Sequence, residues 1–331
     1  MTARMQIAVF GAGAVGGYLA GKLALAGHDV AVVARGAQLA AIVAQGLRLQ
    51  EESGERATRL RAVEHAQELG RRSLVIVAVK TYALAAAAQA IASLVGPESV
   101  IVPAQNGIPW WFPYQAEGAL GGMSIAAVDR DGSLTRFLDP ARVVGCVVQM
   151  AAAVTEPGTV RRFGGNTLVL GEPDGSQSAR LARISTMLEG AGIKVVATDR
   201  IRDAVWDKLW GNVAFNPMSV LTGATMEEMA ADAELRPLLS AAMRECQAVA
   251  ERFGSPFGRS VETRIEEARR LGRFKTSMLQ DFENGRPVEL DALVSAVVEL
   301  GRRVDVPTPI LAALGAMVRL RAGTARPTKA G

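Results

Sequence analysis

The stretch Asp207-Lys208-Leu209-Trp210-Gly211-Asn212-Val213-Ala214-Phe215-Asn216-Pro217 sets one ammonium and two amides four residues apart. Four residues advance a helix by about 400°, so Lys208, Asn212 and Asn216 share one slowly drifting face. Leu209, Trp210 and Val213 fall on its apolar flanks, which argues for a largely buried helix. Packing alone has no need of three polar groups on one stripe. Such a stripe suits a carboxylate and a developing oxyanion; the alternative is a solvated polar face. Further on, Ser277-Met278-Leu279-Gln280-Asp281 leads to Gly285-Arg286-Pro287-Val288-Glu289. Glu289 opens the apolar run 290–300, where capping near a helix start is the simpler reading and the sequence alone does not favour a functional role over it. The chain has two histidines, His28 and His65. A His proton donor in the C-terminal half and a His-rich metal centre are therefore excluded. Two cysteines, Cys146 and Cys246, make no disulfide framework and fit a reducing compartment.

A second chemical motif lies at the start. Gly11-Ala12-Gly13-Ala14-Val15-Gly16 matches G-x-G-x-x-G directly after the apolar run Met5–Phe10 and before a helical pattern. The first glycine permits a tight turn, the second lets backbone approach a pyrophosphate, and the third allows close helix–strand packing. Amides at the start of the helix then face the anion. After the next strand, where an NAD site usually carries Asp or Glu, the chain reads Ala34-Arg35-Gly36. A guanidinium suits a 2′-phosphate, so NADP(H) is expected with Arg35 as the selecting residue. Tyr18-x-x-x-Lys22 has the spacing of a short-chain dehydrogenase catalytic pair. It sits on the helix after the phosphate turn, out of reach of a nicotinamide, and is read as packing.

These groups need elements to carry them. Strands are expected at 5–10, 29–34, 73–79 and 99–102, with helices from Ala14, Ala37 and Thr81 between or after them. That alternation predicts a parallel sheet covered by helices. Shorter strands are expected at 123–128, 143–154 and 167–171, then a helix over 178–189 and a strand over 194–198. From Ile201 the period is helical, with breaks near Gly223, Gly254-Ser255-Pro256, Gly285-Arg286-Pro287 and Val306-Pro307. The fold class expected is α/β: an N-terminal Rossmann-type dinucleotide-binding domain over 1–199, then an all-helical domain over 200–331 whose last residues, 323–331, fray.

The 331 residues are 49% hydrophobic and 21% charged, enough for two cores and against wholesale disorder. The net charge of +4 comes from basic and acidic residues interleaved along the chain. An anionic small ligand fits that pattern, and nucleic acid is not expected. The nearly uncharged segment 5–27 holds six glycines and Lys22, and reads as strand, turn and helix rather than signal peptide or membrane span. A cytoplasmic protein is expected, with no membrane partner. Leu293, Val297 and Leu300 form an apolar stripe for either a core or a homodimer.

With these residues in place the chain resembles the ketopantoate reductase (2-dehydropantoate 2-reductase) family along nearly its whole length. The resemblance rests on the glycine turn, Val79-Lys80, Gln105-Asn106-Gly107, the helix from Lys208 to Asn216, and the segment from Ser277 to Glu289. It implies reduction of a 2-oxo acid by NADPH, with 2-dehydropantoate the leading substrate, in a cleft between the two domains. Lys208 then corresponds to the general acid and Glu289 to its partner near the substrate hydroxyl. Asn212, Asn216 and Ser277 correspond to substrate ligands, with Ser277 on the carboxylate. Asn106 lies between nicotinamide and substrate, Lys80 and Arg35 are cofactor-side cations, and Asn106 and Glu289 count among the cofactor contacts. The chain departs from the family pattern at Trp110-Trp111-Phe112. Those aromatics either pack between domains or line a pocket for a bulkier 2-oxo acid, which leaves that substrate as the rival, with a non-catalytic NADP(H) sensor behind it.

Overall fold

A computed structural model describes residues 5–270 and 272–324. The chain divides into two compact units, Met1–Gln105 with Gly132–Ile201, and Asn106–Asp131 with Arg202–Gly331.

The first unit is built on two sheets. Strands β1 (Gln6–Phe10), β2 (Asp29–Val33), β5 (Arg61–Val63), β6 (Arg72–Val77) and β7 (Val95–Pro103) pair in the order β5-β2-β1-β6-β7, all parallel. Ile7, Val9, Val32, Leu74 and Ile76 are fully or almost fully buried, as the continuous apolar runs predict for a sheet covered on both faces. Helices α1 (Ala14–Leu25), α2 (Gly36–Gln45) and α3 (Thr81–Ala92) follow strands β1, β2 and β6. The second sheet runs β10-β9-β3-β4, with β8 also pairing β9. It comprises β3 (Leu47–Glu51), β4 (Gly54–Thr58), β8 (Gly145–Glu156), β9 (Thr159–Gly171) and β10 (Lys194–Ala197). Short α4 (Ser133–Phe137) and then α5 (Ala179–Gly190) complete the unit, and Ser178 caps α5 by accepting from the Leu181 N–H.

The second sheet is larger than the sequence pattern predicts. β4 reads Gly-Glu-Arg-Ala-Thr and buries none of its residues, so it carries no hydrophobic period. It is a strand because β3 supplies its ladder. β3 itself shows only the alternation of buried Leu47 and Leu49.

The second unit is helical. Its elements are α6 (Ile201–Thr222), α7 (Met226–Ala231), α8 (Leu235–Arg252), α9 (Val261–Arg269), α10 (Ser277–Glu283), α11 (Ala296–Arg303) and α12 (Pro309–Thr324). The run expected as one helix from Leu290 to Leu300 begins instead with a π-helical turn over Asp291–Ser295. Leu293, Val297 and Leu300 are buried within this unit, which makes their stripe core rather than free surface. Gly323 and Thr324 close α12; the rest of the expected frayed tail, 325–331, lies outside the described residues.

Residues 106–131 depart from the expected first domain, because their apolar side chains find a core among the helices. Trp111, Phe112, Trp206 and Phe253 form a chain of ring contacts with centroids 5.8–6.5 Å apart. Arg202 ties the same loop down by donating to Phe112 O at 2.8 Å and to Tyr114 O. The strand expected over 123–128 is absent. Its residues turn instead, with Val128 N and Asp129 N both on Ile125 O. Ala126 N and Ala127 N donate to the Glu299 carboxylate at 2.9 and 2.8 Å, so a side chain supplies the acceptors a ladder would have given. No helix among the described residues is long and apolar enough to cross a membrane.

Candidate active site

The glycine turn in the first unit has a separate steric reason at each of its three positions. Gly11 has φ +101°, where a side chain is strained, and a Cβ would lie 2.9 Å from Val79 Cγ1. At Gly16 a Cβ would overlap Gly11 O and press to 2.8 Å from Ala78 Cβ, so only glycine lets α1 lie this close to the strand end. Gly13 differs: it is exposed, and a Cβ there would meet nothing within 4 Å. No internal contact demands glycine at 13, so its backbone is left open to an approaching ligand. Gly13 is also the residue before α1 and offers no side-chain cap to the first amides of the helix.

A cavity of about 780 Å³ adjoins this turn, lined by Gly11, Ala12, Gly13, Arg35 and Gln38 among others. Arg35 is exposed at the start of α2 in extended conformation. Gln38 is fixed by two bonds, to Ala12 O at 2.7 Å and from Gly158 N at 2.9 Å. Ala83, Ala86, Ala87 and Ala90 of α3 form a further wall, while Leu84, Ala88 and Ile91 on another face of that helix enter the core. Small side chains on the cavity face leave room for a flat group. Lys80 lies half-buried immediately before α3, after Val79 of the cavity lining. Glu64 and His65 also line the cavity, at the carboxyl end of β5. Sequence reading missed both, because β5 is three residues long and its signal is too weak to locate the residues beyond its end. An open turn, an uncapped helix start and a guanidinium at one cavity fit a dinucleotide carrying phosphates.

In the second unit, Lys208 on α6 is half-buried and its Nζ donates to Asn106 Oδ1 at 2.6 Å. This bond joins residues 102 apart in sequence. It rests on the backbone of the loop, where Gly107 adopts φ +85° and packs its Cα against Ala292; a Cβ would come within 2.6 Å of Ala292 O. Ile108 N donates to that same Ala292 O at 2.9 Å. Ala292 belongs to the π-helical turn, in which Ala296 N bonds back five residues to Asp291 O. Glu289, buried at 6% exposure, lies three residues before Ala292. The loop that holds Asn106 is thus anchored to the turn just after Glu289.

Asn212 is half-buried one turn beyond Lys208 on the same unbroken helix. Asn216, one turn further, is 4% exposed, and its Nδ2 has no hydrogen-bond partner. A buried donor left open costs stability unless something accepts from it. Ser277 is the exposed first residue of α10. Its neighbour Thr276 caps α10 by accepting from Leu279 N at 3.1 Å, and Thr276 Oγ1 lies 2.6 Å from Ser219 Oγ on α6. Five of the six sequence candidates of this unit are tied by such contacts: Asn106 to Lys208 directly, Asn106 to the turn after Glu289 through Ile108, and Asn216 towards Ser277 through Ser219 and Thr276; Asn212 shares α6 with Lys208 and Asn216. Trp110, Trp111 and Phe112 are all buried in the helical unit.

Two family models match the chain. One, described as ketopantoate reductase PanE/ApbA, matches residues 7–175, and its C-terminal counterpart matches 200–322. A 2-dehydropantoate 2-reductase of Mesorhizobium japonicum is 47% identical over 316 residues, covering 95% of this chain and 97% of its own. A solved structure from Ralstonia solanacearum, carrying a ketopantoate reductase assignment, is 44% identical with TM-score 0.93, covering 97% and 99% of the two chains. A D-mandelate dehydrogenase solved with NADH and anilino(oxo)acetate shares the fold at 21% identity and TM-score 0.83, covering 97% and 99%.

Proposed function

This chain belongs to the ketopantoate reductase family, and on that premise we propose that it reduces 2-dehydropantoate to pantoate with NADPH. The observation that carries the reading is the Lys208 ammonium, held at 2.6 Å on Asn106, on a helix whose next turns bring Asn212 and the open Asn216 amide. When bound, NADPH supplies the hydride that reaches C2 of the oxo acid. Arg35 supports the phosphorylated cofactor, since its guanidinium complements a 2′-phosphate that a carboxylate at this position would repel.

The protein's own groups then manage charge and protons. As C2 is reduced, negative charge grows on the carbonyl oxygen. An ammonium has three N–H bonds; Asn106 Oδ1 takes one from Lys208 and thereby fixes the direction of the others. One of these stabilises the nascent alkoxide and then gives it the proton, leaving a neutral amine and a 2-hydroxy acid. Asn216 donates from its buried Nδ2 to a substrate oxygen, and the Ser277 hydroxyl receives the carboxylate. Glu289 accepts from the substrate's own hydroxyl. Burial of Trp110, Trp111 and Phe112 favours the smaller branched acid over a bulky aromatic one, because these rings fill a core.

Steady-state NADPH oxidation with 2-dehydropantoate, phenylpyruvate and benzoylformate tests the reading. Turnover of 2-dehydropantoate is expected to exceed that of both aromatic acids in kcat/KM. A reversed order transfers the activity to the bulkier acids, and background rates with all three leave a cofactor-binding protein without this chemistry.

A further inference from the structure

We propose that Ser219 and Thr276 form a one-way hydrogen-bond relay that sets the substrate-binding geometry of Asn216 and Ser277. The inference rests on the functional reading above and adds two positioning residues to it.

The direction comes from counting protons. Both hydroxyls are buried away from bulk solvent, Ser219 at 0% and Thr276 at 4% exposure. Each carries a single proton. Ser219 donates its own to Asn216 O at 2.7 Å. The 2.6 Å contact between Ser219 Oγ and Thr276 Oγ1 must then be donated by Thr276. Thr276 in turn accepts from Leu279 N at 3.1 Å. The relay therefore runs from Leu279 N–H to the Thr276 hydroxyl, to the Ser219 hydroxyl, to Asn216 O, with each proton committed.

Its placement gives it work that a helix alone does not do. Pro217 succeeds Asn216 inside α6 and brings no N–H, so Val213 O loses its ordinary helical donor and the helix is free to bend there. Asn216 stands at that weak point with an open Nδ2. The Ser219 bond reaches back three residues and fixes its carbonyl. Thr276 then ties this turn to the start of α10, where the next residue is Ser277. Two substrate groups from segments about sixty residues apart thus share one rigid support.

The test is Ser219→Ala in the full-length enzyme, since it cuts the relay while leaving Thr276 to cap α10. The KM for 2-dehydropantoate is expected to rise about tenfold, the worth of one well-placed hydrogen bond. The kcat and the KM for NADPH are expected to stay within about twofold. Thr276→Ser, which keeps the hydroxyl, is expected to match wild type in all three constants. Thr276→Val cuts the same link from the other side and serves if Ser219→Ala does not accumulate. A wild-type KM in the cut variants overturns the relay, as does a loss spread equally over substrate and NADPH. Failure of the wild-type enzyme to turn over any 2-oxo acid is a separate outcome, which removes the functional reading itself.

Discussion

Lys208 illustrates how much rests on one nitrogen. On the role proposed for it, replacement by alanine removes both the charge offered to the alkoxide and the proton it would receive. The expected loss in kcat/KM is about 10²–10⁴, the range for a positioned general acid. Lys208→Arg is expected to recover little, because a guanidinium holds its protons far above neutral pH. NADPH oxidation measures both, and activity within tenfold of wild type in Lys208→Ala excludes the assigned role. Arg35 carries a different prediction. Each charge-assisted bond to a 2′-phosphate is worth about 1.5–3 kcal/mol, so Arg35→Asp is expected to lower the NADPH/NADH ratio of kcat/KM by at least tenfold. An unchanged ratio places selection elsewhere in the cavity. At this scale the shared face of Lys208, Asn212 and Asn216 and the place of Arg35 after β2 were legible, because a helical period and a strand end are local features. Ser219 was not, because a serine on an apolar helix announces nothing until Thr276 is found beside it.

Among the elements, the loop from Asn106 to Ile108 bears the closest tolerances. Gly107 has both a left-handed backbone and a carbonyl 2.6 Å from its missing Cβ. Gly107→Ala must move the loop or the π-helical turn, and either displaces Asn106 from Lys208. The expected result is a fall of kcat/KM by at least tenfold with NADPH binding retained, read by kinetics and by fluorescence titration of the cofactor. Intact activity removes the loop's positioning role. Four of the five strands of the parallel sheet and α1 to α3 were readable from continuous apolar runs and helical periods; β5, three residues long, was not. β4 was not readable, because a polar edge strand is defined only by its neighbour. Residues 123–128 misled for the opposite reason: an apolar run suggested a ladder, and Glu299 took its amides instead.

The whole molecule adds a pH response, rooted in the first unit. Glu51 on β3 accepts from the Tyr18 hydroxyl of α1 at 2.7 Å and pairs with Lys22, Arg56 and Arg162 at 3.0–3.4 Å. The Tyr18-x-x-x-Lys22 pair is therefore a structural clasp joining α1, β3, β4 and β9. Burial alone raises the Glu51 carboxyl, but its hydrogen bonds and cations outweigh that and hold it at about 2, below its ordinary 4.5. A carboxyl lowered by folding stabilises fully above about pH 4.5 and loses that contribution as pH falls towards 2. Tyr18 is raised to about 12 by burial, then by Glu51 beside it, so its contribution is lost as pH climbs from 10 through 12. Glu51→Gln is expected to lower stability at pH 7 by about 1–3 kcal/mol, since it leaves the buried Lys22 ammonium without its carboxylate, while Arg56 stays in contact with water. It is also expected to flatten the acid limb of unfolding curves between pH 2 and 4.5. An acid limb identical to wild type places the lability in other carboxyls.

Short-range order was decided by the sequence. A strand ending in Gly-x-Gly-x-x-Gly, an arginine at the next strand end and a four-residue polar stripe are each specified by residues within one or two turns of each other. Periodicity and steric freedom act over that distance. Tertiary structure alone decided which distant groups meet: Asn106 with Lys208, Gly107 with Ala292, Ser219 with Thr276, and Glu51 with Tyr18. It also sent Trp110, Trp111 and Phe112 into a core. Those outcomes depend on how buried surfaces and unpaired polar groups are matched across the packed chain, and no local pattern carries that information.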